Sequence, residues 1–342
     1  MITTNRLSTT KVNSCPICKS NENFFCYSAY DVRFSKTFLS FSVAKCKKCN
    51  TKFILNCPKK EYMPTFYPDK LYHSFTNQFA DARKKKSFRE NIKRLAKQRL
   101  IKNRNTIIDL FLLNLVPVSW KAAATLRSTN DKRNTIFDIG CGEGWQLDVY
   151  KEFGWSTYGI DIGSEAIKHA KSKGHIAIEG DAETHDYPKN DFDLIQVRHV
   201  LEHVYNPDRI IENCYACLKT TGTIYLETPN PNSLLCMIFG KDYWQIDAPR
   251  HIQIISKTSL IKLLENKGFR IKKTYTKNTR QGILNSILNK NLRIHKRDLT
   301  KRKRILFTLV DLFFFLPLKS VNLFGLGEDI VVFAEKNNFL TN

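Results

Sequence analysis

Three groups of residues in this chain have types and spacings that could do chemistry. The first is Asp138-Ile139-Gly140-Cys141-Gly142-Glu143-Gly144, in which every second residue from Gly140 is glycine. Such a run lets the backbone turn tightly and approach a ligand with no Cβ in the way. Asp161 follows about twenty residues later at the end of the next apolar stretch, where a carboxylate can meet a ribose. The glycine spacing departs from the G-x-G-x-x-G of dinucleotide sites, which argues against a nicotinamide cofactor. The second group is histidine-rich: His199, Glu202 and His203 lie close together, and His251 ends Trp244-Gln245-Ile246-Asp247-Ala248-Pro249-Arg250-His251. Imidazoles are the side chains most suited to removing a proton near neutral pH. The third is Cys15-Pro-Ile-Cys18 with Cys46-Lys-Lys-Cys49, two tight knuckles that can present four thiolates to one tetrahedral zinc. All four sulfurs would hold the ion, so that zinc is expected to be structural.

The elements that must position these residues alternate from Asn134 onward. Thr135–Gly140 reads as a strand, Glu143–Phe153 as a helix, Ser156–Asp161 as a strand and Glu165–Ser172 as a helix. His175–Asp181 and Phe192–Arg198 read as strands, then Pro207–Leu218 as a helix and Thr223–Thr228 as a strand. Ser256 is placed to cap a helix over Lys257–Lys267 that stops at Gly268, before a strand over Arg270–Lys277. A last strand, Asp329–Lys336, comes after a long insertion. This alternation predicts an α/β fold with a parallel sheet and helices on both faces. The reading divides the chain into a zinc ribbon (1–60), a basic helical connector (61–133) and an α/β domain (134–342) with a helical insertion at about 280–326. Cys214 and Cys217 share the knuckle spacing but fall within a helix without a second pair, and are read as core packing.

The glycine run and the strand order resemble the class I S-adenosylmethionine-dependent methyltransferases, whose first motif looks like (Leu/Phe)-Asp-(Ile/Val)-Gly-Cys-Gly-x-Gly. The resemblance covers about 135–278 and the final strand, and it implies a Rossmann-like seven-stranded sheet. It also implies that Gly140, Gly142 and Gly144 wrap the methionine end of S-adenosylmethionine, with Asp138 nearby. Asp161 would hold the ribose hydroxyls, Ile162 would pack on the adenine, and Asp181, with Ala182 alongside, would accept from the adenine amino group. Arg198–Val204 resembles the His-x-x-Glu-His segment of ubiquinone-type and related small-molecule methyltransferases, which makes His199 or His203 the expected base. Some of those enzymes carry Glu-x-x-Glu-His and a divalent metal; here His199 stands at the first Glu position. Trp244–His251 resembles their acceptor-side segment, so that Trp244, Arg250 and His251 either contact the acceptor or anchor the loop. The Cys-rich leader is similar to those of bacterial methyltransferases of sugar and surface-polysaccharide pathways.

The expectation is therefore methyl transfer to oxygen or carbon of a small metabolite, a sugar-nucleotide or lipid-linked intermediate. Charge bears on the partner. Of the net +23, residues 1–133 hold 27 Lys/Arg against 8 Asp/Glu, 134–279 hold 17 against 19, and 280–342 hold 11 against 5. The basic flanks suit an anionic partner: a membrane surface, a phosphorylated substrate or nucleic acid. Lys301-Arg-Lys-Arg304 precedes the apolar run Ile305–Phe324, which Asp311, Pro317 and Lys319 interrupt. That pattern suits peripheral docking on the inner leaflet, or a lid, more than a spanning helix. No apolar stretch of signal-peptide length opens the chain, so a cytoplasmic location is expected. The ribbon and basic flank also leave open an RNA methyltransferase, or a zinc-ribbon binding protein with an inactive methyltransferase domain. Against RNA or DNA bases as acceptor, strand four lacks a following Asp/Asn-Pro-Pro-aromatic segment, and no Pro-Cys nucleophile is present.

Overall fold

The computed structural model describes residues 8–31, 39–67, 134–189, 191–279, 282–292 and 320–337. The connector expected over 61–133 lies, from residue 68, outside the described residues, and so does the basic and apolar run up to Lys319. The chain forms two compact units, one of residues 69–196 and one of 1–68 with 197–342.

In the 69–196 unit, β6 (Thr135–Ile139) leads through the glycine run to α1 (Trp145–Glu152), β7 (Ser156–Asp161), α2 (Ser164–Ser172) and β8 (Ile176–Glu179). Ile136, Phe137 and Ile139 are buried, as strands covered on both faces must be. Phe137 stacks on Phe192 of β9 (Phe192–Arg198) with ring centroids 4.9 Å apart. Where the glycine run crosses β7 the strand carries Gly159, because a Cβ there would lie 2.6 Å from Cys141 Sγ.

In the other unit, α3 (Pro207–Cys217) starts from Asn206, whose side chain accepts the Arg209 amide, with Pro207 at the first helical position. Cys214 and Cys217 are buried on that helix, in keeping with core packing. β10 (Leu218–Pro229), α4 (Leu234–Phe239), β11 (Gln253–Ile254), α5 (Lys257–Asn266), β12 (Phe269–Lys277), α6 (Gly282–Leu292) and β13 (Asp329–Lys336) follow. Ser256 caps α5 as expected, accepting the Ser259 amide. The large sheet has seven strands in the order β12-β13-β10-β9-β6-β7-β8. It is mixed, not wholly parallel: β13 lies between β10 and β12 and is antiparallel to both. This is the expected Rossmann-like seven-stranded sheet, and β13, which no βαβ crossover reaches, is its antiparallel member.

The N-terminal ribbon is built of β1 (Thr9–Lys11), β2 (Asn23–Tyr30), β3 (Ser40–Cys46), β4 (Lys52–Ile54) and β5 (Asn56–Pro58). It shares a four-stranded sheet, β11-β4-β3-β2, with the strand that follows His251. It also shares a core: Phe41, Val43, Ile54 and Phe66 pack in one cluster with Leu235, Tyr243, Ile246 and Ile252. Arg250 pins the two together. Its guanidinium is fully buried and donates to both Asp247 carboxylate oxygens (3.1 and 2.6 Å), to Asp31 (2.9 Å) and to the Phe66 carbonyl (3.2 Å). Of the two roles open for Arg250, the structure shows loop anchoring.

Removing one partner of a buried ion network leaves the others uncompensated, so Arg250→Ala should cost about 3–5 kcal/mol of unfolding free energy. Urea denaturation of the full chain reads this directly; an unchanged midpoint and slope would contradict it.

Candidate active site

The glycine turn is held closed by one carboxylate. Gly140, Gly142 and Gly144 all have positive φ (76°, 51° and 74°), the left-handed region that glycine enters without strain. The Gly140 and Cys141 amides donate to the Ile160 carbonyl at 2.8 and 3.1 Å, tying the turn to the end of β7. Asp161, the last residue of β7, then accepts the Gly142 amide on Oδ2 (2.8 Å) and the Gly163 amide on Oδ1 (2.9 Å). Burial pushes its carboxyl above the usual range, and the Gly163 and Gly142 amides act in the opposite sense. A carboxylate has about four acceptor positions, so two amides leave it capacity for further donors. Ile162 beside it is 67% exposed, an apolar face open to solvent on the rim of the turn. Asp138 is buried in β6 and accepts from the Gln196 amide at 3.0 Å. Asp181 caps its own turn by accepting the Glu183 amide at 2.8 Å, and the Ala182 carbonyl accepts the Tyr187 hydroxyl at 2.8 Å. One residue outside the sequence reading supports the turn: His175 is buried beside Gly144 and bonded to Thr157 (2.8 Å) and Asp148 (3.0 Å). A Cβ on Gly144 would lie 2.7 Å from the His175 ring.

The three expected histidines separate into two environments. His199 takes positive φ (52°) after β9, and its Nδ1 faces Glu202 while its Nε2 faces Glu227, each at 3.1 Å. Loss of solvation disfavours its charge, but Asp329, Glu202 and Glu227 outweigh that and hold its pKa up to about 10. With a carboxylate on each nitrogen the ring is a doubly protonated imidazolium. Glu227 also meets Arg198 (3.0 Å), Lys277 (2.6 Å) and the Tyr225 hydroxyl (2.5 Å).

His203 and His251 face each other instead, ring centroids 4.6 Å apart. His251 Nδ1 lies 2.7 Å from the Gln245 carbonyl, and His203 Nδ1 lies 3.0 Å from the Arg250 carbonyl and 2.9 Å from the Tyr67 hydroxyl. A carbonyl only accepts, so each Nδ1 carries its proton and each Nε2 keeps a lone pair. Burial, then the neighbouring His251, pushes His203 down to about 3. Trp244 is anchored by its indole N–H on Glu328 at 2.8 Å. Tyr67, Glu227 and Asp329 join these loops without having stood out in the sequence, where they read as a ribbon flank and two strand residues.

Three groups bring ligand-type atoms within 4.8 Å of one another among the described residues: Cys15/Cys18/Cys46/Cys49, Glu202/His203/His251 and His199/Glu227/Asp329. In the thiol group Cys15 Sγ and Cys49 Sγ are 3.5 Å apart, as are Cys18 Sγ and Cys46 Sγ. Four sulfurs about 2.3 Å from a tetrahedral zinc stand roughly 3.8 Å apart, so this set fits the ion. The other two groups differ in kind. Glu202 already accepts from His199 and from the Thr228 hydroxyl (3.1 Å), and Glu227 is surrounded by the cations Arg198, His199 and Lys277.

Comparison with known proteins agrees with this geometry. A methyltransferase-domain family model matches residues 115–274. The chain is 30% identical over 185 residues to a ubiquinone biosynthesis O-methyltransferase of Psychrobacter arcticus, covering 49% of this chain and 64% of that protein. It is 31% identical over 145 residues to the enzyme of the same description from Glaesserella parasuis, covering 37% and 61%. The chain thus spans less than two thirds of the length of these curated relatives. Among solved structures it is similar to a SAM-dependent methyltransferase from Archaeoglobus fulgidus, at 24% identity and a TM-score of 0.44, covering 76% of this chain and 100% of that one. The matched segment, running from before β6 into β12, is similar to methyltransferase domains.

Proposed function

We propose that this protein transfers a methyl group from S-adenosylmethionine to an oxygen, or a carbon, of a small metabolite that is phosphorylated or lipid-linked. The observation that carries the reading is the glycine turn closed by Asp161, with acceptor capacity left on that carboxylate. When bound, the donor supplies a sulfonium methyl that is already electrophilic. Gly140, Gly142 and Gly144 leave room along the backbone for its methionine end, with Asp138 behind them. Asp161 accepts the ribose hydroxyls, Ile162 and Ala182 pack against the adenine, and Asp181 accepts from its amino group.

The chain must also orient the acceptor and take its proton. His199 is unsuited to that task, because its lone pair is already protonated and clamped. The proton is assigned to Nε2 of His251, with His203, held down to about 3, staying neutral beside it and positioning its ring. The rings are too close for both to be charged, so the pair takes one proton, offset by Glu202. The O-methyltransferase description of the relatives supports oxygen as the methylated atom. The Cys15/Cys18/Cys46/Cys49 set is assigned a structural Zn2+, which would fix the ribbon that shares a sheet with the His251 loop. Among the described residues no helix is long and apolar enough to cross a membrane. Contact with the inner face of a membrane, read from 305–324, is part of the proposal and rests on sequence alone.

Turnover with isotopically labelled donor on host extracts should place label in the nucleotide-sugar or lipid pool. Label confined to RNA would select the RNA-methyltransferase reading instead, and donor binding without label in any pool would select an inactive binding protein. His203→Ala and His251→Ala should each lower kcat by roughly 10²–10⁴ with donor affinity unchanged. A loss confined to donor affinity would remove the assignment of the base.

The His199 imidazole should titrate near pH 10 in the folded chain, read by NMR, against about 6.5 for the free side chain. Because the folded pKa is the higher one, His199 adds stability that is complete below about pH 6.5 and fades as pH rises toward 10. His199→Gln should flatten that decline; a wild-type imidazole titrating near 6.5 would contradict the clamp.

A further inference from the structure

A cavity of about 420 Å³ lies in the unit that contains the ribbon, and neither His203 nor His251 is in its lining. Its volume falls in the range of small-molecule sites. The wall is apolar, formed by Val12, Phe53 and Ile54 of the ribbon and by Ile252. Two polar side chains in the lining are already committed: the Tyr205 hydroxyl donates to the Pro58 carbonyl (2.8 Å), and the Gln253 amide donates to the Leu201 and Val204 carbonyls (2.9 and 3.0 Å). At the solvent side stand exposed Lys59, Lys60 and Glu61, one net positive charge.

An apolar interior with a cationic rim selects a ligand of matching polarity. We propose that this cavity binds an amphipathic anion, with an alkyl or prenyl-like chain against Val12, Phe53 and Ile252 and a phosphate or carboxylate at Lys59 and Lys60. Lipid and free organophosphate share that chemistry. Three residues of the lining, Tyr205, Ile252 and Gln253, stand within two residues of a histidine of the pair. Tyr205 follows His203 by two residues, Ile252 follows His251, and the Ile252 and Gln253 amides donate to the Glu202 carbonyl at 2.9 and 3.4 Å. An occupant therefore lies against residues next in the chain to both rings.

The test is calorimetric titration of the full chain with octyl phosphate, kept below its micelle concentration, beside octanol, inorganic phosphate and anionic phospholipid vesicles. Octyl phosphate should bind saturably at one site, octanol at least about 10-fold more weakly, and inorganic phosphate not measurably. Lys59→Ala with Lys60→Ala should weaken octyl phosphate by roughly 10-fold. Thr10→Trp, at an exposed strand position lining the cavity, should abolish binding. Binding of S-adenosylhomocysteine by the same variants, unchanged, shows that they are folded and separates this site from the donor site. Undiminished octyl phosphate binding by Thr10→Trp, equal binding of octanol and octyl phosphate, or binding to vesicles alone would overturn the proposal. None of those results would touch the methyl-transfer reading.

Discussion

The contact between Asp161 and the two amides of Gly142 and Gly163 constrains the donor side of this protein more than any other. A turn with three residues at positive φ has little of its own to hold it. It is closed from outside, by the Ile160 carbonyl on one flank and by the carboxylate at the tip of the same strand on the other. Because both carboxylate oxygens are used structurally and each retains capacity, the residue that shapes the turn is also the one able to grip a sugar. Gly159 and His175 supply the remaining conditions: no Cβ where Cys141 crosses the strand, and a bonded ring filling the space beside Gly144.

The histidine loops rest on a different principle. There the histidines lie on segments with little regular structure, and rigidity comes from the ribbon. β11 joins the ribbon sheet, Arg250 is enclosed by two carboxylates, and the Ser256 cap of α5 also donates to the Cys49 carbonyl at 2.6 Å. The metal-type knuckle, the cap of a helix and the loop carrying His251 therefore form one connected structure. The N-terminal strands are thus less an appendage than part of the same sheet and core as the histidine loop.

Much of the fold was legible because its signals are local. Alternating apolar runs, Gly-rich breaks and a Ser cap placed β6 to β9, β12 and β13 within a few residues of where they lie, whereas β10 begins five residues early and β11 was not foreseen. The glycine turn and the Cys pairs were legible for the same reason, since spacing alone constrains them. What escaped depended on partners distant in the chain. Arg250 reads equally well as an acceptor contact until Asp31 and Phe66, more than 180 residues away, are seen to enclose it. The charge state of His199 depends on Glu227 and Asp329 from two other strands, and the antiparallel setting of β13 on a connection that no periodicity describes.

The central claim is that a sulfonium cofactor is held across this turn with its ribose on Asp161. Isothermal calorimetry with S-adenosylmethionine and S-adenosylhomocysteine tests it most directly. The account predicts saturable one-to-one binding of both, weakened at least about 10- to 100-fold in a folded Asp161→Ala variant. No heat with either ligand, or equal affinity in that variant, would contradict it.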